Sequence, residues 1–241
     1  MDTKELLRMV SRRRSVRAYK EECITVSDKK KISSLISDLT PLYPDIKTHI
    51  EIVPLAAIHT TMRWAPDEVI VLFSEKRDGY LTNAGFMLGE LDLALQAMGI
   101  GTCYLGLAKM SSETDMVVDG LEYVLALAIG YTDTPYREGE ESFNRKPLAE
   151  ICDTPDERLS PMRLAASSMN TQSWYVTHSE DSLYLYRKQV SRSVNIARMN
   201  YIDVGIALSH LYVAYPDTFR ALHDVAVPPL EGHDPILAFK I

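Results

Sequence analysis

Cysteine is scarce in this 241-residue chain: Cys23, Cys103 and Cys152 are far apart and form no CxxC pair. A sparse, odd set of thiols argues against a disulfide framework and a thiolate zinc site. It fits a reducing, cytoplasmic compartment. The six histidines (His49, His59, His178, His210, His223, His233) have no metal-ligand spacing, and no Ser–His–Asp set stands out. No metal site and no catalytic acid or base is therefore assigned. Long runs of one charge are also missing, and the formal net charge is −7. That balance disfavours nucleic acid and anionic membrane as partners. The start, Met1-Asp2-Thr3-Lys4-Glu5, lacks the pattern of a secretory signal. The most apolar stretch, residues 81–100, carries Asn83, Glu90, Asp92 and Gln96, which suits a buried helix and not a membrane span.

What the chain does have is enough apolar residue, 46%, to bury a large core near the upper size for one domain. Asp2 and Glu5 have capping-box spacing ahead of Leu6, Leu7, Met9 and Val10, so a short helix is expected first. Ser27 is read as the N-cap of a second helix, with Ile32, Leu35, Ile36 and Leu39 along one face and Pro41 as its stop. Residues 49–53 and 68–73 read as strands, and residues 81–98 as a helix apolar on nearly every side, ended by Gly99 and Gly101. Residues 121–129 are a further apolar strand, and residues 131–144 a polar surface connection. A helix is expected over 155–166, a hairpin over 174–177 and 183–186, an apolar helix over 199–214, and a last strand over 236–241. The order of helix, strands, apolar helix and terminal strand thus occurs twice. Aligning Asn83-Ala84-Gly85-Phe86-Met87-Leu88 with Ile202-Asp203-Val204-Gly205-Ile206-Ala207 expresses that repeat.

Four segments together resemble the flavin-dependent nitroreductase family. Arg13-Arg14-Ser15-Val16-Arg17-Ala18-Tyr19 is similar to its RRSxRxF motif. Ala165-Ala166-Ser167-Ser168-Met169-Asn170-Thr171-Gln172-Ser173-Trp174 is similar to its APSxxNxQPW motif. The helix running into Gly99-Ile100-Gly101-Thr102-Cys103-Tyr104-Leu105-Gly106 is the third, and Ala128-Ile129-Gly130-Tyr131 with Arg145-Lys146-Pro147-Leu148 the fourth. In the family, APSxxNxQPW follows soon after RRSxRxF. Here the stretch from Leu39 to Ile46 has lost the Asn, Gln and Trp, and the good copy lies in the second half.

The resemblance implies an α+β, nitroreductase-like fold, with a mainly antiparallel sheet beside central buried helices. It implies one domain over 1–241 whose repeat halves, approximately 1–146 and 147–241, imitate the family's homodimer within a monomer. The second half has no RRSxR, since Ser191-Arg192-Ser193-Val194 lacks most of it, so one FMN per chain is expected.

By the same resemblance, Arg13, Arg14, Ser15 and Arg17 meet the phosphate and the electron-rich flavin edge. Guanidinium forks suit both. The plain alternative is a solvated basic helix end. Ser167 and Ser168 would approach the ribityl phosphate end and Asn170 would bond the isoalloxazine, with Gln172 in the same cofactor-binding stretch, where the alternative is an ordinary helix-end loop. Tyr104, Leu105 and Gly106 correspond to a loop whose backbone lies near the flavin N5, or else form only a turn. Arg145 and Lys146 correspond to basic residues that reach the phosphate, or else are surface ion pairs. Cys103 reads as core.

The implied activity is electron transfer from NAD(P)H, through FMN, to a small acceptor such as a nitroaromatic, a quinone or a flavin. Two other readings stand beside it: a flavin-binding module without turnover, and a cofactor-free interaction protein on the same fold.

Overall fold

The computed structural model describes residues 3–64, 66–112 and 118–241. Two compact units divide the chain. One takes the residues up to Tyr80 together with Leu91–Glu138, and the other takes Leu81–Glu90 and Gly139–Ile241.

In the first unit, α1 (Thr3–Val10) buries Met9 and Val10, and Asp2 of the expected capping box lies outside the described residues. Helix α2 (Val26–Asp38) is capped by Thr25, whose hydroxyl accepts from Asp28 N, and it presses Ile32 into the core. The cap thus lies two residues before Ser27, because Thr25 is the extended residue whose side chain reaches the free N–H.

Strands β1 (Thr48–Pro54), β2 (Ile58–His59) and β3 (Glu68–Ser74) follow. After them come α3 (Tyr80–Ala97), β4 (Ile100–Tyr104), β5 (Lys109–Met110) and β6 (Glu122–Tyr131). An antiparallel sheet has the order β1-β3-β6-β4, and β2 pairs separately with β5. The interior strands β3 and β6 are apolar on both faces, as burial on both faces demands. One face packs Val69, Val71, Phe73, Cys103, Leu105, Ala126 and Ala128 into a single core cluster. Gly101, expected with Gly99 to end the helix, lies instead inside β4. Gly101 is there because a Cβ would meet Thr132 and both methyls of Val16, so it marks close packing inside a strand.

The second unit contains α4 (Leu148–Ile151), α5 (Ser160–Arg163), β7 (Trp174–His178), β8 (Leu183–Lys188), α6 (Val194–Ala214), β9 (Arg220–Leu222) and β10 (His233–Lys240). Its antiparallel sheet has the order β7-β8-β10-β9. The helix expected over 155–166 is only a 3-10 turn, Glu157–Leu159, and the single turn α5, which has Pro161 in its first turn. Helix α6 begins five residues earlier than its apolar pattern, at Val194.

Both four-stranded sheets therefore share one connectivity: first, second, fourth, third, with the long apolar helix between the second and third strands. Within the second unit, the Leu81–Glu90 part of α3 packs on α6 through glycine. A Cβ on Gly85 would lie 2.0 Å from the Ile202 carbonyl oxygen, and one on Gly205 would lie 2.0 Å from the Thr82 carbonyl oxygen. Gly89 faces Ser209. The contact is reciprocal and matches Gly85 to Gly205, one residue away from the alignment made on sequence. Among the described residues no helix is long and apolar enough to cross a membrane.

Candidate functional site

In the first unit the basic segment after α1 runs beside β4. Val16 N donates to Thr102 O at 2.8 Å, and Ser15 bridges Thr102 in parallel. Arg13 turns inward. It is 2% exposed, and its Nε lies 2.8 Å from Asp92 Oδ2. Asp92 and Gln96 are one turn apart on α3, and Gln96 Nε2 donates to Asp92 Oδ1 and to Thr102 Oγ1, both at 2.8 Å. The Thr102 hydroxyl also donates to Asp92, and Gln96 Oε1 accepts Arg14 N at 3.0 Å. A buried polar network thus fixes the backbone at Arg13 and Arg14.

The other cations of this segment point elsewhere. Arg14 Nη1 donates to Pro135 O at 2.8 Å, beside an open groove lined by Tyr19, Lys20, Asp133 and Thr134. The Arg17 guanidinium lies 5.8 Å from the Trp64 ring centroid, and that of Arg12 lies 6.0 Å from Tyr136. Arg137 N donates to Arg12 O, which closes the cluster. Burial, then the nearby charges of Arg14 and Arg13, hold the Arg137 guanidinium below its usual pKa. Two nitrogens of the cluster, Arg12 Nε and Arg13 Nη2, are buried without a hydrogen-bond partner among the described residues. Guanidinium nitrogens left without partners in this way suit an anion.

Tyr104 ends β4. Leu105 is 2% exposed, donates its N–H to Ala126 O at 2.9 Å, and has its side chain in the core. Gly106 lies inside the turn that Ala108 N closes on Leu105 O at 3.0 Å. Of Leu105, only backbone could serve a ligand.

In the second unit the loop over residues 167–172 and the Arg145-Lys146 arm meet directly. Arg145 Nη1 donates to Asn170 Oδ1 at 2.9 Å, and Asn170 Nδ2 donates to Asn144 O at 3.1 Å. Lys146 Nζ donates to Thr171 O at 2.7 Å and to Gln172 O at 3.3 Å, and its backbone N–H donates to Gln172 Oε1 at 2.7 Å. Desolvation, then Lys188, lowers the Lys146 pKa. Ser167 Oγ accepts Gln172 N at 3.1 Å, and Ser168 N donates to Asp203 Oδ1 at 2.9 Å. Met169, Asn170 and Gln172 all have left-handed backbone, with φ of 52°, 57° and 46°. Such a run is costly for Met and Gln, and this bonding is what opposes the cost.

Sequence reasoning named both segments but missed what holds them: Asp92, Gln96 and Thr102 in one unit, Asn200, Asp203 and Thr171 in the other. The available signal was a polar residue inside a helix apolar on all sides, where burial demands a partner. Among the described residues no group of three or more His, Cys, Asp or Glu could hold a metal ion.

Two antiparallel sheets, each with a buried apolar helix between its second and third strands, make an α+β fold of the nitroreductase type. A family model described as "Putative TM nitroreductase" matches residues 5–215, and the chain belongs to that family of oxidoreductases. A solved structure from Thermotoga maritima, described as a "putative nitroreductase", is similar in fold: TM-score 0.63, 20% identity, covering 100% of this chain and 94% of that one. A nitroreductase family protein from Clostridium difficile 630 has TM-score 0.48 and 16% identity, over 62% of this chain and 96% of its own. A Desulfovibrio desulfuricans structure, described as a putative nitroreductase in complex with FMN, has TM-score 0.44 and 20% identity, over 62% and 94%. No curated protein matches the chain.

Proposed function

We propose that this chain is an FMN-dependent oxidoreductase that takes electrons from NAD(P)H and passes them to a small acceptor such as a nitroaromatic, a quinone or a flavin. The family match over residues 5–215 supports the reaction class. The observation that carries the cofactor is the guanidinium cluster of Arg12, Arg13, Arg14 and Arg137, in which Arg12 Nε and Arg13 Nη2 are buried without hydrogen-bond partners among the described residues. Its donor set fits a phosphate or the electron-rich edge of a flavin.

Arg13, Arg14, Ser15 and Arg17 are the proposed cofactor ligands of the first unit, with the backbone at Tyr104, Leu105 and Gly106. Those of the second unit are Ser167, Ser168, Asn170 and Gln172, with Arg145 and Lys146. FMN, when bound, supplies hydride and electron transfer. The protein's part is to hold and orient. Asp92 and Gln96 fix Arg13 and the Arg14 backbone, while Arg145 and Lys146 brace the loop whose carbonyls and amide they bind. No side chain is assigned as a proton donor, and water can supply protons.

We further propose that the chain is a monomer imitating a dimer, with one FMN per chain. The shared strand order of the two sheets and the reciprocal Gly85 and Gly205 contacts support the imitation. The absence of a second RRSxR supports the single cofactor.

The test is anaerobic addition of NADH or NADPH to FMN-loaded protein, followed by an acceptor. Bleaching of the flavin band and its return with a quinone or nitroaromatic is the expected result. Retained flavin that is never bleached would instead favour a binding module. Failure to take up FMN would favour the cofactor-free reading.

A further inference from the structure

The loop over residues 167–172 needs a scaffold. Three of its residues have left-handed backbone, and only Asn170 is of a type that tolerates it. Met169 stands 81% exposed at its tip, so no packing of its own side chain offsets the strain. From α6, two residues on one face reach this loop. Asp203 Oδ1 accepts Ser168 N at 2.9 Å, and Asp203 Oδ2 accepts Asn200 Nδ2 at 3.0 Å. Asn200 Nδ2 also donates to Thr171 Oγ1 at 2.9 Å. Asn200 is fully buried and Asp203 is 4% exposed.

A carboxylate is an expensive choice at this position. Burial pushes the Asp203 pKa up to about 7, against the opposing hydrogen bonds from Ser168, Asn200 and Thr171. Its helix is otherwise apolar on nearly every side, so a leucine would satisfy packing and avoid the cost. What an apolar residue could not do is accept the Ser168 N–H and order the Asn200 amide toward Thr171. Two ends of the strained loop, Ser168 and Thr171, are therefore held by one buried pair, with Lys146 gripping the Thr171 carbonyl.

We infer that Asp203, acting through Asn200, is a positioning residue that holds the 168–171 backbone in the shape that presents Asn170 to the flavin. This rests on the proposed FMN reading of the loop. Asp203 itself would touch no cofactor; it shapes the segment that does.

The experiment measures FMN affinity by isothermal titration calorimetry, alongside amide hydrogen exchange of the loop in the apoprotein. The proteins are wild type, Asp203→Leu, Asp203→Asn, and the swap Asn200→Asp with Asp203→Asn. The leucine removes both acceptors, and the single asparagine sets two amide donors against each other. Each should weaken FMN binding about tenfold or more and speed exchange at residues 168–171, without lowering the apoprotein's melting midpoint. The swap restores a donor facing an acceptor, with the Thr171 hydroxyl turning to donate, and should return affinity to within about threefold. A purely structural role would move the melting point and would not be rescued in affinity by the swap. Wild-type binding with an unchanged Asp203→Leu affinity would overturn the inference and leave the flavin reading standing. No FMN binding by the wild type would overturn both, and faster loop exchange in Asp203→Leu would then show a truss that serves something else.

Discussion

Replacing Gly205 with alanine tests the crossing of α3 and α6 most severely. The added Cβ would lie 2.0 Å from the Thr82 carbonyl oxygen and 2.8 Å from Phe86 N, and both are backbone atoms that cannot swing aside. Ordinary contact requires more than 3 Å, so the helices must part by about 1 Å. Parting them loosens the packing of Phe86 against Tyr212 and Phe219, whose ring centroids lie 5.4 and 6.1 Å from its own. Overpacking alone costs about 1–3 kcal/mol, and a backbone clash belongs at the upper end, so about 3 kcal/mol is expected. That is a large share of a total stability of about 5–15 kcal/mol. Gly85→Ala should cost the same, because its Cβ meets the Ile202 carbonyl at the same 2.0 Å. The double variant should cost much less than the sum, since helices already parted accept the second methyl. Gly99→Ala is the control: its φ is +82° with nothing within 4 Å, so backbone strain of about 1 kcal/mol is all that is lost. Urea unfolding followed by far-ultraviolet circular dichroism gives each value. A Gly205→Ala effect no larger than that of Gly99→Ala, or an additive double variant, would show that the helices do not cross as tightly as these contacts require.

Three other predictions concern charged groups. Asp203, with a folded pKa of about 7, binds its proton more tightly in the folded state. Stability should therefore fall as pH rises from about 4 to about 7, by as much as about 4 kcal/mol, and Asp203→Asn should flatten that dependence in urea titrations. Arg13 and Asp92 are both nearly unexposed, so Asp92→Ala should cost about 3–5 kcal/mol, whereas Arg13→Met with Asp92→Leu should cost clearly less, by the same titration. His178 lies between Asp153 Oδ1 at 2.6 Å and Asp156 Oδ2 at 3.2 Å; burial alone would lower its pKa, but the two carboxylates raise it. Its contribution is present below the ordinary histidine pKa and fades as pH rises through the raised one, so His178→Gln should remove a loss of thermal stability that sets in above the ordinary histidine pKa.

The long elements were legible because their residues leave little choice. Residues 81–98 are apolar around the whole helix and end at Gly99, and β3 is an unbroken apolar run. Local ambiguity defeated other readings. Thr25 and Ser27 are equally good caps on paper, and only the extended backbone at Thr25 decides between them. Gly99 and Gly101 look alike in sequence, yet one ends a helix with positive φ while the other admits Val16 and Thr132 against β4. The candidate-site segments were found by their resemblance to family motifs, but their supports were not. Nothing in Met169 or Gln172 announces left-handed backbone, and an aspartate at 203 signals a buried partner without saying that the partner is Ser168 N. The pairing of Arg145 and Lys146 with residues 170–172 joins positions about 25 apart and becomes visible only in three dimensions.

The central claim is one FMN per chain, and the most direct test is to count it. The purified protein, reconstituted with excess FMN and freed of unbound cofactor, is denatured, and the released flavin is measured by its visible absorption against protein concentration. A ratio near one is expected, falling to near zero when Arg14 or Asn170 is replaced by alanine. A ratio near two would contradict the single site, and no retained flavin in the wild type would contradict the cofactor assignment itself.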